Sequence, residues 1–132
     1  MSIIIAKKWY RQSLHDLEMA EKNIDIKGYD ITAFLCHQAV EKLLKCIYVL
    51  QMGEIPRSHH IDELAEDLNL EGNIIDLIKD LTYDYTFSRY PDVSHTVPFE
   101  EYTEDIAMTK LNATKTIFRL LKNRYEAILE EK

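Results

Sequence analysis

Apolar residues recur along this chain at steps of three and four, not two, so the pattern predicts helices from end to end and no sheet. Ala6, Trp9, Ser13, Leu17, Ala20 and Ile24 form a first stripe. Gly28 interrupts it, and Asp30 is placed to cap a second helix. That helix carries Cys36, Val40, Leu43, Ile47 and Leu50, widened by Phe34, Leu44 and Tyr48, and stops at Gly53 and Pro56. Ser58 is placed to cap a short third helix with Ile61, Leu64, Ala65 and Leu68 inward. Gly72-Asn73 then separates a fourth, where Ile74, Ile78, Leu81 and Tyr85 share a face. The last stripe is Ala107, Leu111, Thr114, Phe118, Leu121, Tyr125 and Ile128.

Three long helices and two shorter ones predict an all-α fold, an antiparallel up-and-down helical bundle of four to five helices. The 132 residues suit one domain with one core, and the short connections support that. Three Gly and three Pro supply too few turns for an all-β fold. The segment from Thr86 to Phe99 is the exception. A connection that long in a small bundle is where function is expected.

No apolar run approaches the roughly 20 residues that span a bilayer. The order Met1-Ser2-Ile3-Ile4-Ile5 before Lys7 and Lys8 is the reverse of a secretory signal. Cys36 and Cys46 lie on one predicted helix about 15 Å apart, beyond disulfide reach. Two free thiols suit a reducing cytoplasmic setting, with no membrane partner. The net charge of −7 is concentrated: Asp62 to Asp84 holds eight acids and the single base Lys79. Such a face serves solubility first, and otherwise steers toward a basic protein partner. Strong non-specific binding to RNA or DNA is not expected, because phosphate affinity needs a concentrated positive field, and DNA is not expected as a partner.

Chemistry concentrates in two stretches. Gln38, Glu41, Lys42 and Lys45 share the polar side of the second helix. They either line a nucleotide pocket or form a solvated face with a Glu41–Lys45 pair. In the long connection, Arg89 is flanked by Tyr85, Phe87 and Tyr90, a set that binds phosphate and stacks on bases, or forms a protein-interface hot spot. His59-His60 with Asp62 and Glu63 reads as capping and solvation rather than a metal site. No Cys-x-x-Cys, glycine-rich phosphate loop or nucleophile elbow is present, and no cofactor is expected.

Four elements in order then resemble the HEPN domains (higher eukaryotes and prokaryotes nucleotide-binding). They are Trp9, Ser13, Asp16-Leu17 and Ala20; Phe34 with the run Gln38 to Lys45; His59, Ile61 and Leu64; and Arg89-Tyr90-Pro91-Asp92. The resemblance implies a helical bundle, usually a homodimer, commonly encoded beside a minimal nucleotidyltransferase in toxin–antitoxin systems. Some members are metal-independent endoribonucleases that use an Arg, four to six residues and a His. Arg89 and His95, with five residues between, meet that spacing. There the His would move a proton and the Arg would hold the phosphate.

The candidate catalytic pair is thus Arg89 and His95, against a structural reading in which His95 is a solvated loop residue. The candidate ligand-binding residues are Arg89, Tyr90, Tyr85, Gln38, Lys42 and Lys45. Three functions follow: a nucleotide-binding partner of a nucleotidyltransferase, a ribonuclease toxin, and a purely structural dimerisation domain. The first is preferred.

Overall fold

A computed structural model describes residues 2–93 and 96–130, and every regular element among them is helical. Helices α1 (Ser2–Asp25) and α2 (Tyr29–Met52) have 24 residues each and lie side by side. The turn between them is built by Lys27, left-handed at φ 61°, and by the Gly28 N–H, which donates to the Asn23 carbonyl at 2.8 Å. A Cβ on Gly28 would stand 2.9 Å from Asn23 Oδ1, so a larger residue there requires the Asn23 side chain to move. Gly28, not Asp30, precedes α2. Asp30 lies in the first turn, where a carboxylate favours the helix dipole. Gly53 ends α2 as expected, left-handed at φ 76° with its N–H on the Val49 carbonyl at 2.9 Å.

The short elements follow: α3 (Ile61–Asp67), α4 (Gly72–Lys79), α5 (Asp84–Phe87), a 3-10 turn (Pro91–Val93) and α6 (Pro98–Glu101). Ser58 does not reach the α3 amides. Its hydroxyl donates to Glu63 at 2.6 Å and accepts from the His60 N–H at 3.1 Å. The turn before α4 is made by Asn69 at φ 54°, so Gly72 opens α4 instead of separating it from α3. The long connection holds the end of α5, the 3-10 turn and the start of α6, with Pro98 at the first position of α6, where a missing N–H costs nothing.

Helix α7 (Glu104–Leu120) is capped by Thr103, whose hydroxyl accepts from the Ile106 N–H at 3.3 Å. The single last helix expected from the stripe is two, because Leu121 leaves helical geometry before α8 (Lys122–Glu130). The buried stripe nonetheless runs on through Leu121, Tyr125 and Ile128. The Tyr125 hydroxyl donates to the Phe118 carbonyl at 2.8 Å and ties the two segments together.

Helix α2 is the hub, packed by α1, α3, α5, α6, α7 and α8. Its Leu43, Leu44 and Ile47 are fully enclosed with Ile61, Leu64, Ile78, Leu81, Leu111 and Ile117. Burial on this scale stabilises by roughly 1.5–3 kcal/mol per large side chain and sets the frame on which the polar sites sit.

Candidate functional site

Arg89 stands just after α5, with its guanidinium among three rings. Its Cζ lies 4.9 Å from the centroid of Phe34, 5.3 Å from Tyr90 and 5.5 Å from Tyr85. Phe34 comes from α2 and is itself 6.0 Å from Tyr85. Phe87, expected at this site, turns away to pack on Tyr83 at 5.8 Å. Arg89, Tyr85 and Tyr90 are exposed. Among the described residues no carboxylate pairs with Arg89, Asp92 included. The guanidinium is therefore oriented by aromatic faces while its donor fork stays free of acids.

A buried clamp holds this segment to the bundle. The Tyr102 hydroxyl, from the end of α6, donates to Asp84 Oδ1 at 2.6 Å, and Lys110 on α7 pairs with Asp84 Oδ2 at 3.1 Å. The Ser88 hydroxyl donates to the Asp84 carbonyl. Burial raises the Asp84 carboxyl above its ordinary range, and the Tyr102 hydrogen bond and Lys110 charge oppose that rise. The clamp spans α5, α6 and α7, so the backbone beside Arg89 is fixed from three directions.

Beside Arg89 a cavity of about 290 Å³ opens between His37, His59, His60, Thr82, Tyr85 and Thr86. His37 comes from α2, is only 3% exposed, and lies 5.5 Å from the Tyr85 ring. Burial pulls its pKa from 6.5 down to about 4, so the ring is neutral at physiological pH. Its Nδ1 has no hydrogen-bond partner among the described residues.

The polar side of α2 is not the solvated face expected as one alternative, because α1 lies across it. Glu41 and Lys45 are 6% and 3% exposed. Lys45 Nζ bonds Glu41 Oε2 at 3.0 Å, sits 5.1 Å over the Trp9 ring, and reaches His59 Nδ1 at 2.7 Å. Lys42 pairs with Asp16 at 2.9 Å and donates to Gln38 at 2.9 Å, within the α1–α2 seam. Gln12 adds a 2.9 Å hydrogen bond to the same Asp16. Arg89, Tyr85 and Tyr90 thus form one cluster. Lys45 meets the neighbouring cavity through His59, and Gln38 and Lys42 belong to the seam.

His95 lies outside the described residues. Phe34 and His37 are site residues that the pattern did not mark. Their signal was their spacing, three apart on one helix and hence on one face. Among the described residues no group of three or more His, Cys, Asp or Glu is placed to hold a metal. No helix among them is long and apolar enough to cross a membrane.

A two-helix hub with an Arg-Tyr-Pro-Asp segment clamped beside it defines a particular class of helical bundle. The HEPN domain model matches residues 6–124, and the chain belongs to that family. The crystal structure of TT1696 from Thermus thermophilus superposes at TM-score 0.83 with 27% identity, covering 90% of this chain and 97% of that one. ST0689, described as an archaeal HEPN homologue, superposes at TM-score 0.79 with 32% identity, covering 91% and 97% respectively. No curated protein matches the chain.

Proposed function

We propose that this chain is the nucleotide-binding, non-catalytic partner of a separate minimal nucleotidyltransferase in a toxin–antitoxin type system, acting as a homodimer. The observation that carries this reading is Arg89, exposed, stacked among Phe34, Tyr85 and Tyr90, and free of any described carboxylate. A planar guanidinium so held grips phosphate through its fork and offers flanking rings to a base. The exposed acids of α3, α4 and the turn between them, among them Glu63, Glu66, Glu71 and Asp76, give a face for a basic surface on the partner enzyme.

The test is calorimetric titration of the purified protein with ATP and with a short single-stranded RNA, beside incubation with mixed RNA in EDTA. Binding without cleavage, reduced tenfold or more in Arg89→Ala, is the expected result, together with co-purification of a co-expressed nucleotidyltransferase. Cleavage in EDTA that is lost in Arg89→Ala and His95→Ala would replace this reading with the metal-independent endoribonuclease. A dimer that binds no nucleotide would leave the structural dimerisation domain.

A further inference from the structure

We infer that the cavity beside Arg89 is a nucleobase subsite, in which one planar heterocycle enters between His37, His59, His60 and Tyr85 while its phosphate rests on Arg89. The inference rests on the nucleotide-binding reading above and adds which part of the nucleotide goes where. Tyr85 is the shared element, its ring centroid 5.5 Å from the Arg89 Cζ and 5.5 Å from the His37 ring. A ligand in the cavity against that tyrosine therefore lies close to Arg89 as well.

Size admits a heterocycle. At about 290 Å³ the cavity lies at the lower edge of small-molecule sites, which run from roughly 300 to 1,000 Å³. It has ample room for one ring system. Charge divides the ligand, because among the described residues no Lys or Arg lines the cavity, so the phosphate stays outside on Arg89.

The polar groups suit a base edge. The Lys45 ammonium has only donors, so His59 Nδ1, 2.7 Å from it, must accept, and the ring proton sits on Nε2. With Nδ1 so engaged, His59 has its Nε2–H left to donate. The Thr82 hydroxyl gives its proton to the Ile78 carbonyl at 3.3 Å and keeps its lone pairs as acceptors. His37, nearly fully enclosed, closes the cavity floor with a neutral ring and is not one of the groups that meet the base edge. Donor and acceptor together are what a purine or pyrimidine edge requires.

The experiment compares binding of adenosine 5′-monophosphate, ribose 5-phosphate and a short single-stranded RNA by calorimetry. The proteins are the wild type, Thr86→Phe, His60→Ala and Arg89→Ala. Thr86 and His60 are exposed, and the new phenylalanine ring fills the cavity. Wild type should bind the nucleotide at least tenfold tighter than the sugar phosphate, since base stacking contributes about that much. Thr86→Phe and His60→Ala should shrink that preference and leave ribose 5-phosphate unchanged, whereas Arg89→Ala should weaken both. An RNA that binds more tightly than the mononucleotide, with the same losses, identifies the occupant as an unpaired base of a strand. Equal wild-type affinity for nucleotide and sugar phosphate overturns the base subsite and leaves the Arg89 reading standing. No binding of any phosphate compound overturns both.

Discussion

Lys45 Nζ lies 2.7 Å from His59 Nδ1 and 3.0 Å from Glu41 Oε2, so one ammonium joins a buried acid to a histidine at the cavity wall. The Glu41–Lys45 pair is one helical turn apart, a spacing that contributes only tenths of a kcal/mol on an exposed surface. Here α1 covers it, and Trp9 closes over the ammonium at 5.1 Å. Removing one partner of a buried pair strands the other without compensation.

Lys45→Met should therefore destabilise the fold by about 3–5 kcal/mol in urea unfolding, because the Glu41 carboxylate stays enclosed without its cation. Glu41→Gln combined with Lys45→Met should recover most of that loss. A double variant as unstable as Lys45→Met alone would show that the ammonium acts mainly through Trp9 and His59.

Arg89 sits where stability and binding separate. Because it is exposed, Arg89→Ala should change unfolding free energy by no more than about 0.5 kcal/mol while removing phosphate binding. Arg89→Lys keeps the charge and loses both the planar stack on Phe34 and the fork, so its affinity should fall nearly as far as that of the alanine variant. Full rescue by lysine would mean that charge alone is read.

The fold was legible because its three long stripes are regular and its turn glycines stand where α1 and α2 end. The HEPN character was legible because four short elements fall in order. What stayed hidden shares one physical cause: periodicity tells polar from apolar but not which polar face a neighbour will cover. Gln38, Glu41, Lys42 and Lys45 read as a group on the polar side of α2, yet Asp16 and Trp9 on α1 draw the group into a seam. The break at Leu121 was invisible for the converse reason, since burial continues across a backbone that stops being helical. Phe34 joins Arg89 only through a contact between segments far apart in sequence, which no local pattern encodes.

His37 supplies a pH dependence with a definite sign. Its folded pKa, about 4, lies below the ordinary 6.5 because burial disfavours the charged ring. Below pH 6.5 the unfolded chain takes up a proton that the folded chain refuses, so the His37 contribution is full above 6.5 and lost as pH falls to 4. That loss is about 3 kcal/mol. Urea unfolding of wild type and His37→Phe between pH 7 and 4 should show the difference between them shift by this amount, and parallel curves would sink the assignment.

Asp84 behaves with the opposite sign. Burial holds its folded pKa above 3.8, so its contribution is full below 3.8 and declines as pH rises through the folded value. Tyr102→Phe removes the donor 2.6 Å from Oδ1, raises that pKa further, and should cost about 1–3 kcal/mol at pH 7. The cost should be smaller at pH 4, where the carboxyl is more often protonated. Equal cost at both values would place the effect of the variant in packing alone.

The two cysteines offer a test of the core itself. Cys36 and Cys46 are both fully enclosed, and burial pushes each thiol up to about 12. Thiolate is the reacting form, so at pH 8 each is scarce as well as shielded. Neither should react with a disulfide reagent such as Ellman's in the native protein, and both should react at once in strong denaturant. The slow native reaction should follow opening of α2, the helix that carries both thiols, and should quicken in Lys45→Met in proportion to its lost stability. Rapid labelling of either thiol in the stable wild type would mean that α2 is not the enclosed hub on which the Arg89 cluster and its cavity depend.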